Sequence, residues 1–344
     1  RGHDVIAVLD QRGAGSQTPR ARPARWHHLP IQTEAADSLA DFMELALLDA
    51  NVIIKNHTPG FDPVGLRANG WPGKIVHVQG VISDIMDLDV AQYDRVYTWA
   101  PSWADYFAEW NGVPAPENFV AVGHTQADLL NEADVVSPPS AVVYCPFPRA
   151  TLKRAWWSHG VFTQPWPLIA TERKVVASLR RYCDRLHLEL VVKGLHRRGV
   201  AKWIERAADA VVWDQPGEPG MLWLLHRRGA LLVHYLSTSV AEAAVAGVPS
   251  LCLVSPHFSQ HAKRLRLPSF SAPTDERPVR SFYSWGSAAR AMTPRQAIDC
   301  FDHLRLVPCD PPVMASTLSD YRRAFVGEPP WNAGERIIED LEKP

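Results

Sequence analysis

The stretch that most limits how this chain folds is 231–253, with the sequence LLVHYLSTSVAEAAVAGVPSLCL. Its first residues, 231–235, are mostly apolar and predict a buried parallel strand. An alanine-rich segment follows and predicts a slim helix, which Gly247 and Pro249 bring to an end. Residues 250–254 predict the next strand. A strand, a helix and a second strand in this order form a parallel β-α-β unit, so the sequence predicts an α/β fold.

The predicted helix begins at three consecutive hydroxyl residues, Ser237, Thr238 and Ser239. Serine and threonine are favoured at helix N-termini, where the side chain accepts from a free first-turn amide, and Ser239 with Glu242 has the spacing of a capping box. A helix N-terminus also carries partial positive charge and unpaired donors, which suit it to bind an anion. From these residues alone, an ordinary capped helix and a phosphate site are both open.

The composition of the whole chain excludes several classes of protein. At 344 residues, with 46% hydrophobic and 21% charged residues, the chain has room for two globular domains. Its net charge of −1 gives no electrostatic case for nucleic-acid binding. The five cysteines form no CxxC pair, which favours reduced thiols, and no apolar run has the length of a membrane span. We expect a cytoplasmic protein, with peripheral membrane contact and oligomeric state left open.

The first half of the chain alternates short apolar strands with helical segments, which predicts a parallel sheet covered on both faces. The predicted strands are 5–9, 52–55, 74–78, 95–98 and 119–122. In such sheets the ligand crevice lies beyond the carboxyl ends of the strands. That rule selects five residues as candidates to face the crevice: His57, Gln79, Gly80, Asp84 and His124. For each histidine, an ordinary hydrogen-bonded or surface role is the alternative.

The second half begins after residues 131–140, which contain two prolines and predict a linker. Four short motifs follow in order: PFPR at 146–149, KGLH at 193–196, STSVAEAAVAGVP at 237–249 and NAGER at 332–336. Together they resemble motifs of GT-B glycosyltransferases, and most of all the branch of CDP-glycerol glycerophosphotransferases and capsular polysaccharide transferases. The resemblance covers residues 141–336 at the level of motifs and residues 1–130 in layout.

This resemblance implies two Rossmann-like domains that face each other across a cleft. Residues 1–135 are the expected acceptor-side domain, whose first strand would lie upstream because RGHDVIAVLD resembles the second half of an opening Rossmann unit. Residues 141–344 are the expected nucleotide-donor domain. The motif positions implied to bind the nucleotide are Arg149, Lys193, His196, Ser237, Thr238, Ser239 and Glu242. Glu242 has two competing expected roles, which are to bind the ribose hydroxyls and to cap the helix.

The resemblance further implies a transferase that moves a sugar or an alditol phosphate from a nucleotide-activated donor to a hydroxyl of a glycan or other acceptor, in surface glycan synthesis. We expect no metal, because no DxD-like motif follows a predicted strand, and no cofactor besides the donor substrate. The general base is expected in the first domain, where Asp84 and His57 are the preferred candidates and His124 is the third candidate. The family's usual His-Gly is replaced here by Gln79 and Gly80, and glutamine cannot take a proton.

Two other functions stay open at this point. One is a UDP-sugar 2-epimerase-like enzyme on the same fold, which would call for several carboxylates at strand ends of the first domain. The other is a non-catalytic protein that binds a nucleotide or a sugar and needs no base.

Overall fold

The structure is a computed structural model. It describes residues 5–10, 31–36, 52–55, 63–68, 70, 72–80, 85, 88–130, 138–146, 166–194, 200–213, 220–235, 237–254, 282–305 and 311–343. Every strand pair within these ranges is parallel, apart from one isolated antiparallel bridge between Trp285 and Ala289.

The first half forms a two-stranded sheet and a four-stranded sheet. The strands, in chain order, are β1 (Val5–Asp10) and β2 (Ile31–Ala36), then β3 (Val52–Lys55), β4 (Lys74–Val78), β5 (Arg95–Thr98) and β6 (Phe119–Ala121). The helices are α1 (Pro63–Ala68) and α2 (Ser102–Asn111), and α2 ends at Gly112, whose φ of 66° is left-handed. The strands predicted at 52–55, 74–78 and 95–98 are confirmed to the residue.

The second half forms a six-stranded sheet with the order β12-β11-β10-β7-β8-β9. Its strands are β7 (Ala141–Tyr144), β8 (Glu189–Gly194), β9 (Ala210–Trp213), β10 (Gly229–His234), β11 (Ser250–Leu253) and β12 (Ala289–Met292). Its helices are α3 (Trp166–Leu186), α4 (Lys202–Glu205), α5 (Met221–Arg228), α6 (Ser239–Ala246), α7 (Pro294–Asp302), α8 (Pro311–Phe325) and α9 (Ala333–Leu341). The predicted α/β fold with parallel strands in both halves is therefore confirmed.

Side chains that alternate along β7 and β8 build a core on each face of this sheet. Val142 and Val192 belong to a buried cluster that includes residues of α3 and α7. Val143 and Val191, one position away, belong to a second cluster with residues of α5. Because both faces of the strands are covered, their sequences are continuous apolar runs rather than alternating ones.

The last helix, α9, returns to the four-stranded sheet of the first half. Its residues Ala333 and Ile337 pack against apolar side chains of β4, β5 and the segment after β6. The Tyr97 hydroxyl donates to Asp340 at 3.1 Å, and the Asp128 carboxylate accepts from the amides of Ala333 and Gly334 at 3.0 and 2.8 Å. The predicted closing helix is therefore present, and it covers the sheet of the first half.

A further connection joins α2 to α8, because the Trp103 indole donates to the carbonyl of Phe325 at 2.8 Å. The predicted hinge at 131–140 falls mostly outside the described residues and stays a prediction. No helix in the described ranges is long and apolar enough to cross a membrane.

Candidate functional site

The six-stranded sheet has a topological switch point between β7 and β10. From β7 the chain proceeds outward through β8 and β9, and it then returns to place β10 on the other side of β7. Because all six strands are parallel, their carboxyl ends meet at one edge of the sheet. Ligands of open α/β sheets bind at this edge, beside the switch point.

Lys193 lies at this edge, near the end of β8. Tyr144 is in register with both Val192 and Val233, so one residue further along each strand Cys145, Lys193 and His234 form the next row across the sheet. Side chains alternate between the faces of a strand, which places this row on the face that α5 covers. Lys193 is only 6% exposed, so its side chain is buried at this edge of the sheet rather than extended into solvent.

Gly194 follows Lys193 and lies beside the indole ring of Trp213 in the neighbouring strand. A Cβ atom at Gly194 would lie 2.4 Å from the Trp213 ring and 2.8 Å from the Val200 side chain. Real Cβ atoms do not approach neighbours this closely, so the Trp213 ring, which is nearest, and the Val200 side chain leave room only for glycine.

Replacing Gly194 with alanine is therefore expected to destabilise the protein by about 1–3 kcal/mol, the usual cost of overpacking a core. Chemical denaturation at 25 °C would measure the change. The same substitution made in a Trp213→Leu background should cost clearly less, because the clashing ring is gone. An equal cost in both backgrounds would show that the ring is not the obstacle.

The turn Ser237–Ser239 joins the end of β10 to α6, and it differs from the prediction in one respect. Ser239 is the first residue of the helix, Thr238 is its N-cap, and no cap side chain bonds to the backbone. The predicted capping box of Ser239 and Glu242 is therefore wrong, because Ser239 lies one position too far into the helix. The Ser237 hydroxyl instead accepts from the Ser239 amide at 3.2 Å and donates to the Ser239 hydroxyl at 3.0 Å.

His234, the last residue of β10, was not among the predicted site residues. Its side chain is fully buried, and its Nδ1 accepts from the backbone N–H of Ser237 at 3.0 Å. Its Nε2 has no hydrogen-bond partner within the described ranges. Burial lowers the pKa of His234 to about 3, so the ring is neutral at pH 7. The sequence signal was a histidine that interrupts an apolar strand just before three hydroxyl residues.

The carboxyl ends of β4 and β6 in the first half are built around Trp99. Gln79 is fully buried, and its side-chain oxygen accepts from the Trp99 amide at 2.9 Å while its carbonyl accepts from the indole N–H at 3.0 Å. The ring of His124 also packs on Trp99, and the two ring centroids are 4.6 Å apart. Gln79 thus takes a structural position where the resembling family has a histidine.

His124 is only 3% exposed, and burial lowers its pKa to about 4. The imidazole is therefore neutral at pH 7, and its Nδ1 has no hydrogen-bond partner among the residues that the structure describes. A neutral imidazole is able to accept a proton, but this one is enclosed by protein. Its predicted catalytic role stays a prediction.

Four of the predicted site residues lie outside the described residues: His57, Asp84, Arg149 and His196. The structure brings Lys193 and the turn Ser237–Ser239 to one edge of the six-stranded sheet, with half-buried Glu242 in the first turn of α6. In the described part of the chain, no group of three or more His, Cys, Asp or Glu residues has the arrangement of a metal site. The expected independence from a metal stays a prediction.

Comparison with known proteins gives matches by structure alone. No protein-family model and no curated protein sequence matches this chain. The wall teichoic acid polymerase TagF matches with a TM-score of 0.56 at 11% identity, over 99% of this chain and 81% of TagF. MnaA of S. aureus, solved with UDP, matches with a TM-score of 0.55 at 12% identity, over 99% of this chain and 98% of MnaA.

The UDP-GlcNAc 2-epimerase of Neisseria meningitidis, solved with bound UDP-GlcNAc, matches with a TM-score of 0.51 at 11% identity, over 99% of this chain and all of the epimerase. Likeness at this level of identity establishes a common fold and leaves activity open. The parallel sheets, their strand order and these matches agree with the resemblance seen in the sequence motifs. The chain therefore has the GT-B-type α/β fold.

Proposed function

We propose that this protein is a nucleotide-dependent transferase that moves a sugar or an alditol phosphate from an activated donor to a hydroxyl acceptor in surface glycan synthesis. One observation carries the proposal: a buried lysine and a hydroxyl-rich helix start share the carboxyl edge of a parallel sheet at its switch point. Two solved structures of the same fold contain UDP or UDP-GlcNAc, and a third is a wall teichoic acid polymerase.

In this proposal the donor diphosphate lies between Lys193 and the turn Ser237–Ser239. The lysine supplies fixed positive charge, and the start of α6 supplies its dipole and three hydroxyls. These groups stabilise the negative charge that develops on the leaving nucleotide without a metal. Arg149 and His196 are proposed to add to the same site, and Glu242 to bind the ribose hydroxyls.

The acceptor hydroxyl is proposed to lose its proton to a base from the first domain. Asp84 and His57 are the first candidates, because both follow predicted strand ends of that domain. His124 is the third, and its enclosure by Trp99 makes it the weakest of the set.

A UDP-sugar 2-epimerase is the second candidate function. The observation in its favour is the coverage of the matches, since the Neisseria epimerase is matched over its whole length and TagF over 81%. A non-catalytic nucleotide-binding or sugar-binding protein remains the third.

One experiment separates the three functions. The protein is incubated with UDP-, GDP-, CDP- and CMP-sugars and with CDP-glycerol, with and without hydroxyl acceptors, and the products are separated by chromatography. Release of free nucleotide is expected for a transferase, inversion at C2 of an intact UDP-sugar for an epimerase, and neither for a binding protein. A thermal-shift screen on the same compounds reports binding, because a ligand of the native state raises the melting temperature. No shift with any nucleotide would refute the proposal.

Replacing Lys193 with methionine is expected to weaken nucleotide binding about 10- to 100-fold, the equivalent of about 1.5–3 kcal/mol for a charge-assisted contact. Methionine keeps most of the buried aliphatic stem, so that the change removes chiefly the charge. Isothermal titration calorimetry would measure the affinity. The control is Lys174→Met, which alters an exposed lysine of α3 and should leave affinity unchanged. Unchanged affinity in Lys193→Met would remove this lysine from the site.

A further inference from the structure

The His234 side chain links the end of β10 to the backbone of the turn Ser237–Ser239. The imidazole Nδ1 accepts from the Ser237 amide at 3.0 Å, and the ring lies entirely within the protein. Because Nδ1 accepts, the neutral ring carries its proton on Nε2. The bond therefore specifies one tautomer as well as one position of the turn.

The remaining bonds of the turn are made within it. Ser239 donates its amide to the Ser237 hydroxyl at 3.2 Å, and the amides of Val240 and Ala241 point to the carbonyls of Ser237 and Thr238 at 3.4 and 2.9 Å. The hydroxyls of Ser237 and Ser239 are bonded to each other. These bonds lie within the turn and the start of α6, whereas the bond to His234 links the turn to the sheet.

We propose that His234 is a positioning residue for nucleotide binding, which acts through the Ser237 amide and holds the turn Ser237–Ser239 in its binding geometry before the ligand arrives. This inference rests on the proposed function of that turn. His234 needs no contact with the nucleotide. Its effect is on the conformational entropy that the turn would otherwise lose on binding.

The position of His234 supports this role. Its row on the sheet also contains Lys193, two strands away, on the same face. Leu232, the preceding residue of β10 on that face, is a fully buried apolar side chain. A buried polar ring at the next such position is costly unless it is hydrogen-bonded, and the bond to Ser237 offsets this cost for Nδ1.

Two amide variants test the proposal. The side-chain oxygen of asparagine is separated from Cα by as many bonds as Nδ1 of histidine. The side-chain oxygen of glutamine is one bond further away, like Nε2 of histidine. His234→Asn therefore keeps an acceptor where the Ser237 amide needs it, whereas His234→Gln moves the acceptor away. We expect His234→Gln to weaken nucleotide affinity about tenfold and His234→Asn to stay close to the original protein, as for one lost hydrogen bond.

The unfolding midpoint of each free variant is measured beside its affinity. If His234 has a purely structural role, the variant with the lower unfolding midpoint should also have the lower nucleotide affinity. If it has a positioning role, the two variants should differ in nucleotide affinity while their unfolding midpoints are comparable. Equal affinities of His234→Asn and His234→Gln would overturn the proposal. The failure of the proposed function looks different, because the unmodified protein itself would then bind no UDP, CDP or GDP.

A second measurement needs only folded, unmodified protein. Among the 14 histidines, long-range ¹⁵N–¹H spectra of histidine-labelled protein at pH 7 should show the His234 ring with Nδ1 unprotonated and Nε2 protonated, and its signals should move when UDP or CDP is added. Loss of these signals in His234→Asn assigns them. The opposite tautomer, or signals that do not move when nucleotide binds, would also overturn the proposal.

Discussion

Replacing Arg322 with alanine is expected to lower the free energy of unfolding by about 2–4 kcal/mol, because it removes two charge-assisted hydrogen bonds from partly buried carbonyls. Arg322 in α8 donates from Nε to the carbonyl of Ala244 at 2.7 Å and from a terminal nitrogen to that of Val245 at 3.0 Å. These carbonyls belong to the last turn of α6, where the helix dipole is negative and few amides remain to pair with them. The Ala244 carbonyl also accepts from the Gly247 amide at 3.2 Å. Urea denaturation would measure the loss.

Arg323 supplies a matched control on the same helix. Its side chain is exposed, and its partners are the surface carboxylates of Asp320 and Glu328. Arg323→Ala is expected to change stability by only about 0.5 kcal/mol or less, as exposed ion pairs do. A loss in Arg322→Ala no larger than in Arg323→Ala would contradict the role assigned to the α6 carbonyls.

The largest effect on turnover is expected at Asp84 and His57, the proposed acceptor-side residues. Asp84→Asn or His57→Ala should lower turnover by about 10²-fold or more, the usual scale for a lost general base. Nucleotide affinity should survive either change, because the donor is proposed to bind the other domain. Initial rates with the donor found in the nucleotide screen, together with calorimetric affinities, would measure both quantities.

Asp320→Asn and His303→Ala are controls of the same chemistry at exposed positions, and both should keep full turnover. Full activity of Asp84→Asn and of His57→Ala would exclude this pair as the base. Loss of nucleotide affinity in either variant would instead mean that the residue belongs to the donor side of the cleft.

Local sequence patterns predict many of the strands and helices. The strands at 52–55, 74–78 and 95–98 are short apolar runs between turn residues, a pattern that is typical of parallel strands. The helix start at 237–239 is also predicted locally, because three hydroxyl residues before an alanine-rich segment are typical of a helix N-terminus.

Other features depend on partners that no local pattern reveals. β2 at Ile31–Ala36 was not predicted, because Gln32, Thr33 and Glu34 are polar and the strand is defined by its pairing with β1. The observed helix start differs from the predicted capping box by one residue, and the turn before it bonds to His234, which lies outside the motif. That Gly194 must be glycine is set by Trp213, which is distant in sequence.

The return of α9 to the first sheet has a consequence for any attempt to divide the molecule. A cut in the segment 131–140 would yield two fragments, and the first would lack the helix whose Ala333 and Ile337 fill its own core. The second would carry that helix with its apolar face uncovered. Neither fragment would be self-sufficient, yet each holds the surface that the other needs, including the Asp128 carboxylate that receives the first amides of α9. We therefore expect the two pieces to form a fragment-complementation pair, which folds when both are present and not when they are apart.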